Sequence, residues 1–124
     1  MSYKCQAEPK FRPMELKDDG SFETGISGKE YKYWIHSIGT SFEPVAGNYI
    51  FTKETKQHEW TPIYVGETGN LQRRLTHNHE KVSCMKRYCG THIHTHTNSD
   101  NEANRRNEEA DIRDKWNPPC NLED

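Results

Sequence analysis

The chain has 124 residues, of which 31% are hydrophobic and 29% are charged, and its mean hydropathy is −1.16. This length suits one domain with an extension rather than two hydrophobic cores, and no apolar run approaches the roughly 20 residues of a membrane-spanning helix. The start of the chain has no apolar stretch of the signal-peptide type, so we expect a cytoplasmic protein. The net charge of −2 is too small to keep the chain unfolded by repulsion.

The charges are unevenly distributed along the chain. Residues 67–90 carry five basic and two acidic side chains, whereas residues 98–124 carry four basic and eight acidic ones. A basic segment beside an acidic one fits a metal-assisted phosphate site, but it also arises by chance. The total of 17 basic and 19 acidic residues argues, on its face, against a nucleic-acid partner.

The first part of the chain shows little regular pattern. Residues 1 to about 30 mix proline, glycine and charged residues without a period of 2 or 3.6, which predicts an arm with at most one short element. Residues 31–38 are aromatic and apolar, and they fit either a strand or a short helix. We therefore place an N-terminal arm or extension at residues 1–44 and a globular domain at residues 45–124.

The second part of the chain has clearer signals. Residues 48–52 and 62–66 are rich in β-forming residues and have a polar connection, which predicts a hairpin with a long loop. Asn70 is placed to cap a short helix in which Leu71 and Leu75 share one face. Residues 76–90 are ambiguous and helical in part.

A third strand and a last helix complete the predicted domain. The unbroken alternation over residues 91–97 predicts a strand. Residues 98–100 can cap a helix that runs to about Trp116, where Asn117-Pro118-Pro119 ends it. The order of hairpin, helices, strand and helix predicts an α+β fold, with a small antiparallel sheet flanked by helices.

Three kinds of side chain could carry chemistry on this fold. Tyr49 and Tyr64 lie on the two hairpin strands, and a phenol with a pKa near 10 acts as a general base only if a metal or a cation lowers that pKa. The guanidinium of Arg74 suits a phosphate oxygen, and the carboxylate of Glu109 suits Mg²⁺ with waters. The plain alternatives are aromatic packing for the tyrosines and solvated helix faces for Arg74 and Glu109, the latter among Glu108, Asp111 and Asp114.

Histidine and cysteine residues offer a different chemistry. The strand alternation puts His92, His94 and His96 on one face, where they either bind Zn²⁺ with Cys84 and Cys89 or form a polar, solvent-facing surface. Without an export signal, however, the four cysteines of the chain are expected to be reduced thiols. Two further histidines, at positions 77 and 79, are candidates for proton transfer or phosphate contact.

In chain order, these residues resemble the GIY-YIG nuclease superfamily. Gly47-Asn48-Tyr49 is similar to the first family motif, and Tyr64-Val65-Gly66 is similar to the second. The segment 67–75 looks like the glycine turn and helix that carry the catalytic arginine, here Arg74. The run 109–121 is similar to the ending of excision-repair nucleases of this family, which starts with a metal-binding Glu and ends with a supporting Asn.

The resemblance implies a DNA endonuclease that hydrolyses phosphodiester bonds with one divalent metal, Mg²⁺ (or Mn²⁺). It implies that Glu109 binds the metal and that Arg74 stabilises the developing negative charge. Tyr64, or alternatively Tyr49, would take the proton from the attacking water. Supporting roles are expected for Gly66, Asn121, His77 and His79. DNA contacts are expected from Arg73, Lys81, Lys86 and Arg87. No membrane is expected as a partner. A homodimer or a partner protein is expected if both strands of a duplex are cut, because one small active site cuts one strand at a time.

Three positions depart from the family pattern. Asn48 replaces an aliphatic residue, Glu67 stands where some members have a catalytic lysine, and Asn78 stands where others have Tyr or His. The alternative function is therefore a catalytically weak or inactive module of the same fold that binds DNA or a protein.

Overall fold

A computed structural model describes residues 14–17, 20–56, 59–76, 78–98 and 101–122. The strands are β1 (Met14–Lys17), β2 (Gly20–Thr24), β3 (Glu30–Ser37), β4 (Gly47–Lys56), β5 (Glu59–Thr68) and β6 (His92–Thr97). The helices are α1 (Leu71–Arg74), α2 (Val82–Arg87), α3 (Glu102–Trp116) and α4 (Pro119–Leu122). Within these ranges, no helix combines the length and the apolar character that a membrane crossing requires.

The described strands form one antiparallel sheet in the order β1-β2-β3-β6-β4-β5, and β1 also pairs with β5, so the sheet closes on itself. This confirms the predicted α+β class, with a β4–β5 hairpin and β6 as its neighbour. The predicted long loop in the hairpin is wrong, because β4 continues to Lys56 and β5 already begins at Glu59. The polar residues there alternate along strands instead of leaving the sheet.

Residues before position 45 contribute to the same sheet. Strand β3 pairs with β6 from Trp34↔Thr95 to Ser37↔His92, which decides between the strand and the helix expected for residues 31–38. The prediction of at most one short element before residue 30 is wrong, since β1 and β2 both lie there. Strand β2 pairs with its chain neighbours β1 and β3, and β1 also pairs with the distant strand β5. These strands depend on pairing that their own residues do not show as a local period.

The helices begin and end close to the predicted residues. The Asn70 side chain accepts a hydrogen bond from the Arg73 amide at the start of α1, as expected for a cap. Helix α3 is capped by Asn101, one residue after the predicted group, and it ends at Trp116 because Asn117 adopts a left-handed conformation with φ 47°. In the described part of residues 76–90, the helical segment is α2.

Two hydrophobic clusters lie on opposite faces of the hairpin. One contains Tyr49, Phe51, Ile63 and Leu71, and helices α1, α2 and α4 cover it. The other contains Tyr33, Ile50, Trp60, Val65, Ile112 and Trp116, and helix α3 covers it. Both faces of the central strands are therefore buried, so packing on each side restricts the conformations of their side chains.

This burial overturns the expected environment of the histidine face of β6. His94 is fully buried and its ring lies 5.4 Å from that of Trp60, so the face is not a solvent-facing surface. The opposite face is covered as well, because Ile93 and Thr95 are buried. The strand has protein on both sides, which a simple alternation of histidine and threonine does not reveal.

The prediction of reduced thiols is also wrong. Cys84 of α2 and Cys120 of α4 form a disulfide with a Cα–Cα distance of 6.0 Å, and Cys89 is disulfide-bonded too. The zinc hypothesis therefore loses both of its cysteine ligands. Across the described ranges, no group of three or more histidine, cysteine or acidic side chains is arranged to hold a metal.

Candidate active site

The two motif tyrosines lie on neighbouring strands at one end of the sheet. In the β4–β5 ladder Tyr49 is opposite Gly66, and Phe51 is opposite Tyr64. The rings of Tyr49 and Tyr64 are 6.2 Å apart between centroids. Tyr49 is 0% exposed, whereas Tyr64 is only half-buried, so of the two phenols it is Tyr64 that solvent reaches.

Gly66 is required by the packing of Tyr49. A Cβ atom at position 66 would overlap the Tyr49 ring, including its hydroxyl oxygen at 2.5 Å. The glycine of the second motif thus lets the tyrosine of the first motif lie flat across the neighbouring strand. Its supporting role is steric, with no polar group involved.

His79 holds the Tyr49 hydroxyl. Its Nε2 lies 2.7 Å from that oxygen, and its Nδ1 accepts a hydrogen bond from the Lys81 amide. Burial, reinforced by the charge of Arg74, lowers the pKa of His79 to about 4, so the ring is neutral at pH 7. Because Nδ1 is an acceptor, the proton lies on Nε2, which donates to Tyr49.

Arg74 lies at the end of α1, beside both tyrosines. Burial raises the pKa of Tyr49 and of Tyr64, and the Arg74 charge opposes that rise in each. Its Nη2 is 2.7 Å from the Glu80 carboxylate, and its side chain is 33% exposed. Arg74 also lines a polar pocket of about 600 Å³ together with Arg73, Asn78 and His79.

Helix α3 brings Glu109 to the same end of the sheet. Glu109 is 23% exposed and lies 3.5 Å from Arg113, one turn along the helix. Burial raises the pKa of this carboxyl, and the neighbouring Glu67 adds to the increase. Glu109 in turn raises the pKa of both Tyr49 and Tyr64, so its charge acts on the tyrosine pair.

Glu67 is held by arginines of α3. Its carboxylate accepts a hydrogen bond from Arg105 at 3.2 Å, and it lies 3.7 Å from Arg106. The residue that departs from the family pattern therefore ties the end of β5 to helix α3. The ion pairs with these two arginines explain why an acidic residue occupies position 67.

Asn121 fastens helix α4 to strand β5. Its Oδ1 accepts a hydrogen bond from the Val65 amide at 2.8 Å, and its Nδ2 donates to the Val65 carbonyl at 2.9 Å. Val65 stands between Tyr64 and Gly66, so the side-chain amide of Asn121 fixes the backbone at the centre of the second motif. The adjacent Cys120 carries the disulfide to α2, which anchors the same helix.

The other predicted DNA-contact residues lie on α1, on α2 and just before α2. Lys81 places its ammonium 5.9 Å from the Tyr64 ring centroid. Arg73, Lys86 and Arg87 are exposed on α1 and α2. Position 77 lies outside the described residues.

Sequence reasoning missed a second polar cluster, around Glu108. Glu108 is 4% exposed and accepts hydrogen bonds from the Tyr33 hydroxyl at 2.5 Å and from His96 Nδ1 at 2.9 Å. The reading of Glu108 as a solvated residue is therefore wrong. A signal was present, because Arg105, Glu108, Ile112 and Trp116 are spaced three or four apart and form one buried stripe.

Asp111 is likewise not a free surface carboxylate. It accepts hydrogen bonds from the Ser27 amide at 2.9 Å, the Ser27 hydroxyl at 2.7 Å and the Tyr31 hydroxyl at 2.8 Å. These bonds hold the turn before β3 against α3. Of the acidic residues considered, Asp114 is the exposed one.

Comparison of the chain with protein-family models, with curated proteins and with solved structures finds no match.

Proposed function

We propose that this chain is a GIY-YIG-type DNA endonuclease, which hydrolyses phosphodiester bonds with a single divalent metal ion. The proposal rests on one observation above all. Tyr64, Arg74 and Glu109 come from β5, α1 and α3, yet the charges of Arg74 and Glu109 both act on the Tyr64 phenol. Such a convergence of a phenol, a guanidinium and a carboxylate supplies the groups that phosphodiester hydrolysis needs.

Glu109 is the residue that would hold Mg²⁺ (or Mn²⁺). Mg²⁺ in proteins is typically bound by one or two carboxylates, with water completing its shell. The carboxyl of Glu109 fits this role, because burial and the negative charge of Glu67 raise its pKa, and a cation would relieve both effects. When bound, the ion would act as a Lewis acid on the phosphate.

Tyr64 is the better candidate for the general base. Tyr49 is fully buried and engaged by His79, whereas Tyr64 is reached by solvent. Burial and the Glu109 charge raise the pKa of Tyr64, so its phenol becomes a phenolate, the form that can accept a proton from water, only with positive charge nearby. Arg74 already supplies part of that charge.

Arg74 would stabilise negative charge on the reacting phosphate. Its partner Glu80 is 64% exposed, and ion pairs with such exposed residues contribute only about 0–1 kcal/mol. A phosphate oxygen can therefore replace Glu80 at little cost. Arg73 and the pocket beside it would hold neighbouring phosphates.

The Arg74–Glu80 pair also favours a second candidate, a module that binds DNA without cutting it. In that case the guanidinium would stay neutralised and Glu67 would serve only as a link to α3. The two candidates share the DNA partner and differ in chemistry alone.

Plasmid nicking in Mg²⁺, Mn²⁺ and EDTA separates the two candidates. We expect metal-dependent nicking by the wild type, and its loss in Glu109→Gln and in Tyr64→Phe. Glu102→Gln is the matched control, since Glu102 lies exposed on the same helix and should leave nicking unchanged. Retained nicking in Glu109→Gln would reject the nuclease proposal, and binding without metal-dependent nicking would favour the module.

We further propose a homodimer or a partner protein for double-strand cuts, and a compartment that permits disulfides in place of the cytoplasm expected from the sequence. The disulfide-bonded cysteines weigh against a reducing compartment. Cell fractionation and light scattering measure these two properties directly.

A further inference from the structure

An apolar cavity of about 440 Å³ is lined by residues of α1 and α2 and of the segment before β4. Its walls include Phe42, Phe51 and Met85, and the neighbouring polar side chains are Gln72 and Thr76. Ligand cavities of this kind, apolar with a few polar groups, usually measure about 300–1,000 Å³. The size and the lining therefore suit a small, flat, partly polar molecule.

The cavity lies next to the candidate active site. Phe51 lines the cavity, and its ring lies 5.8 Å from that of Tyr64 and 5.0 Å from that of His79. Thr76 lines both the cavity and the polar pocket that contains Arg74. The shared residue places the cavity beside the pocket in which Arg74 would hold a phosphate.

One cationic side chain belongs to the lining of the cavity. Lys86 of α2 lines it, and Arg73 is exposed on the adjoining helix. Among the residues that line the cavity none is acidic. An apolar, aromatic chamber with a cationic side chain in its lining complements a molecule with an aromatic base and a phosphate.

We infer that this cavity receives an unpaired nucleobase from the strand whose phosphate lies at Arg74. The inference rests on the proposed function and names its substrate class, which is DNA with a base outside the helical stack. The Phe42 ring, held edge-on by His36 at 5.1 Å, offers a surface for stacking, and Gln72 and Thr76 offer hydrogen bonds to the base edge. A paired base is excluded from such a chamber because its partner strand would have to enter with it.

Binding of full-length protein to two DNA duplexes in EDTA tests this inference without cleavage. One duplex is fully paired, and the other carries a single unpaired fluorescent adenine analogue. Stacking of one base on an aromatic side chain corresponds to at least about fivefold in affinity. We expect the wild type to bind the second duplex at least about fivefold more tightly, with a change in the analogue's fluorescence.

Phe42→Leu keeps the apolar volume and removes the ring, so it should lose the preference and the fluorescence change. Gln72→Ala, at an exposed position of α1, should weaken the preference without any effect on folding. Trp34→Ala is the matched control, because Trp34 is an exposed aromatic residue outside the cavity. It should behave as the wild type.

The outcomes separate this inference from the nuclease proposal. Equal affinity for both duplexes, or an equal preference in Phe42→Leu and Trp34→Ala, overturns the base cavity even if plasmid nicking is intact. A preference for the unpaired base without metal-dependent nicking supports the cavity and rejects the nuclease. Binding of neither duplex overturns both.

Discussion

The aromatic ring of Tyr49 occupies the space that any side chain at position 66 would need. The two residues face each other across the β4–β5 ladder, one from each motif that suggests a nuclease. The glycine therefore fixes how Tyr49 lies, and with it the position at which His79 meets the hydroxyl. The packing of Tyr49 therefore explains the glycine at position 66 independently of the function of the protein.

Gly66→Ala tests this packing. The new methyl group would overlap the buried Tyr49 ring, and such overpacking costs about 1–3 kcal/mol. Urea unfolding should show this loss of stability. Gly69→Ala is the control, since a Cβ there meets nothing within 4 Å, and equal stability of the two variants would contradict the steric role of Gly66.

Asn121→Ala should loosen strand β5 beside the second motif. It removes two hydrogen bonds to the Val65 backbone, each of which contributes about 0.5–1.5 kcal/mol. The free energy of unfolding should fall accordingly, and amide hydrogen exchange at Val65 should become faster. Asn107→Ala, at an exposed position of α3, should change neither quantity, and unaltered exchange at Val65 in Asn121→Ala would reject the clamp.

Removal of the Cys84–Cys120 disulfide should destabilise the fold. The bond closes a loop with a sequence separation of 36 residues, for which chain entropy gives about 3–4 kcal/mol. The double variant Cys84→Ala and Cys120→Ala should therefore melt at a lower temperature than the wild type under non-reducing conditions. If both melt alike, the bond does not form in solution or contributes nothing.

Stability should fall as the pH is lowered through the range in which His79 titrates. Burial and the Arg74 charge lower the folded pKa of His79 to about 4 from an ordinary value of 6.5. The unfolded chain then binds the proton more readily, so the contribution is complete above pH 6.5 and is lost as the pH falls toward 4. The full loss is on the order of 3 kcal/mol.

Comparison of unfolding free energies at neutral and acidic pH measures this contribution. His79→Gln should show a smaller decline than the wild type, because the glutamine does not titrate. The pKa of His36 is also lowered by burial, so the variant keeps one histidine that lowers stability at acidic pH, and part of the decline remains. His92→Gln, at a partly exposed position, is the control, and a decline in His79→Gln equal to that of the wild type would reject the assignment.

Local sequence determined much of the fold around the site. The β-rich runs gave the hairpin, the alternation gave β6, and the side chains of Asn70 and Asn117 marked helix ends, because each depends on neighbours within a few residues. The ordered motifs also predicted Tyr49, Tyr64, Arg74 and Glu109 as a set. That set converges electrostatically at one end of the sheet.

Only the tertiary structure decided which of the two tyrosines and which of the acidic residues of α3 are buried. It distinguishes Tyr64, half-exposed, from Tyr49, which is fully enclosed, and it places Glu108 in a buried network while Asp114 stays in water. It also places β1 to β3 in the sheet and joins Cys84 to Cys120. The disulfide and the pairing of β1 with β5 and of β3 with β6 depend on contacts between residues far apart in the chain, and local composition and period do not record such contacts.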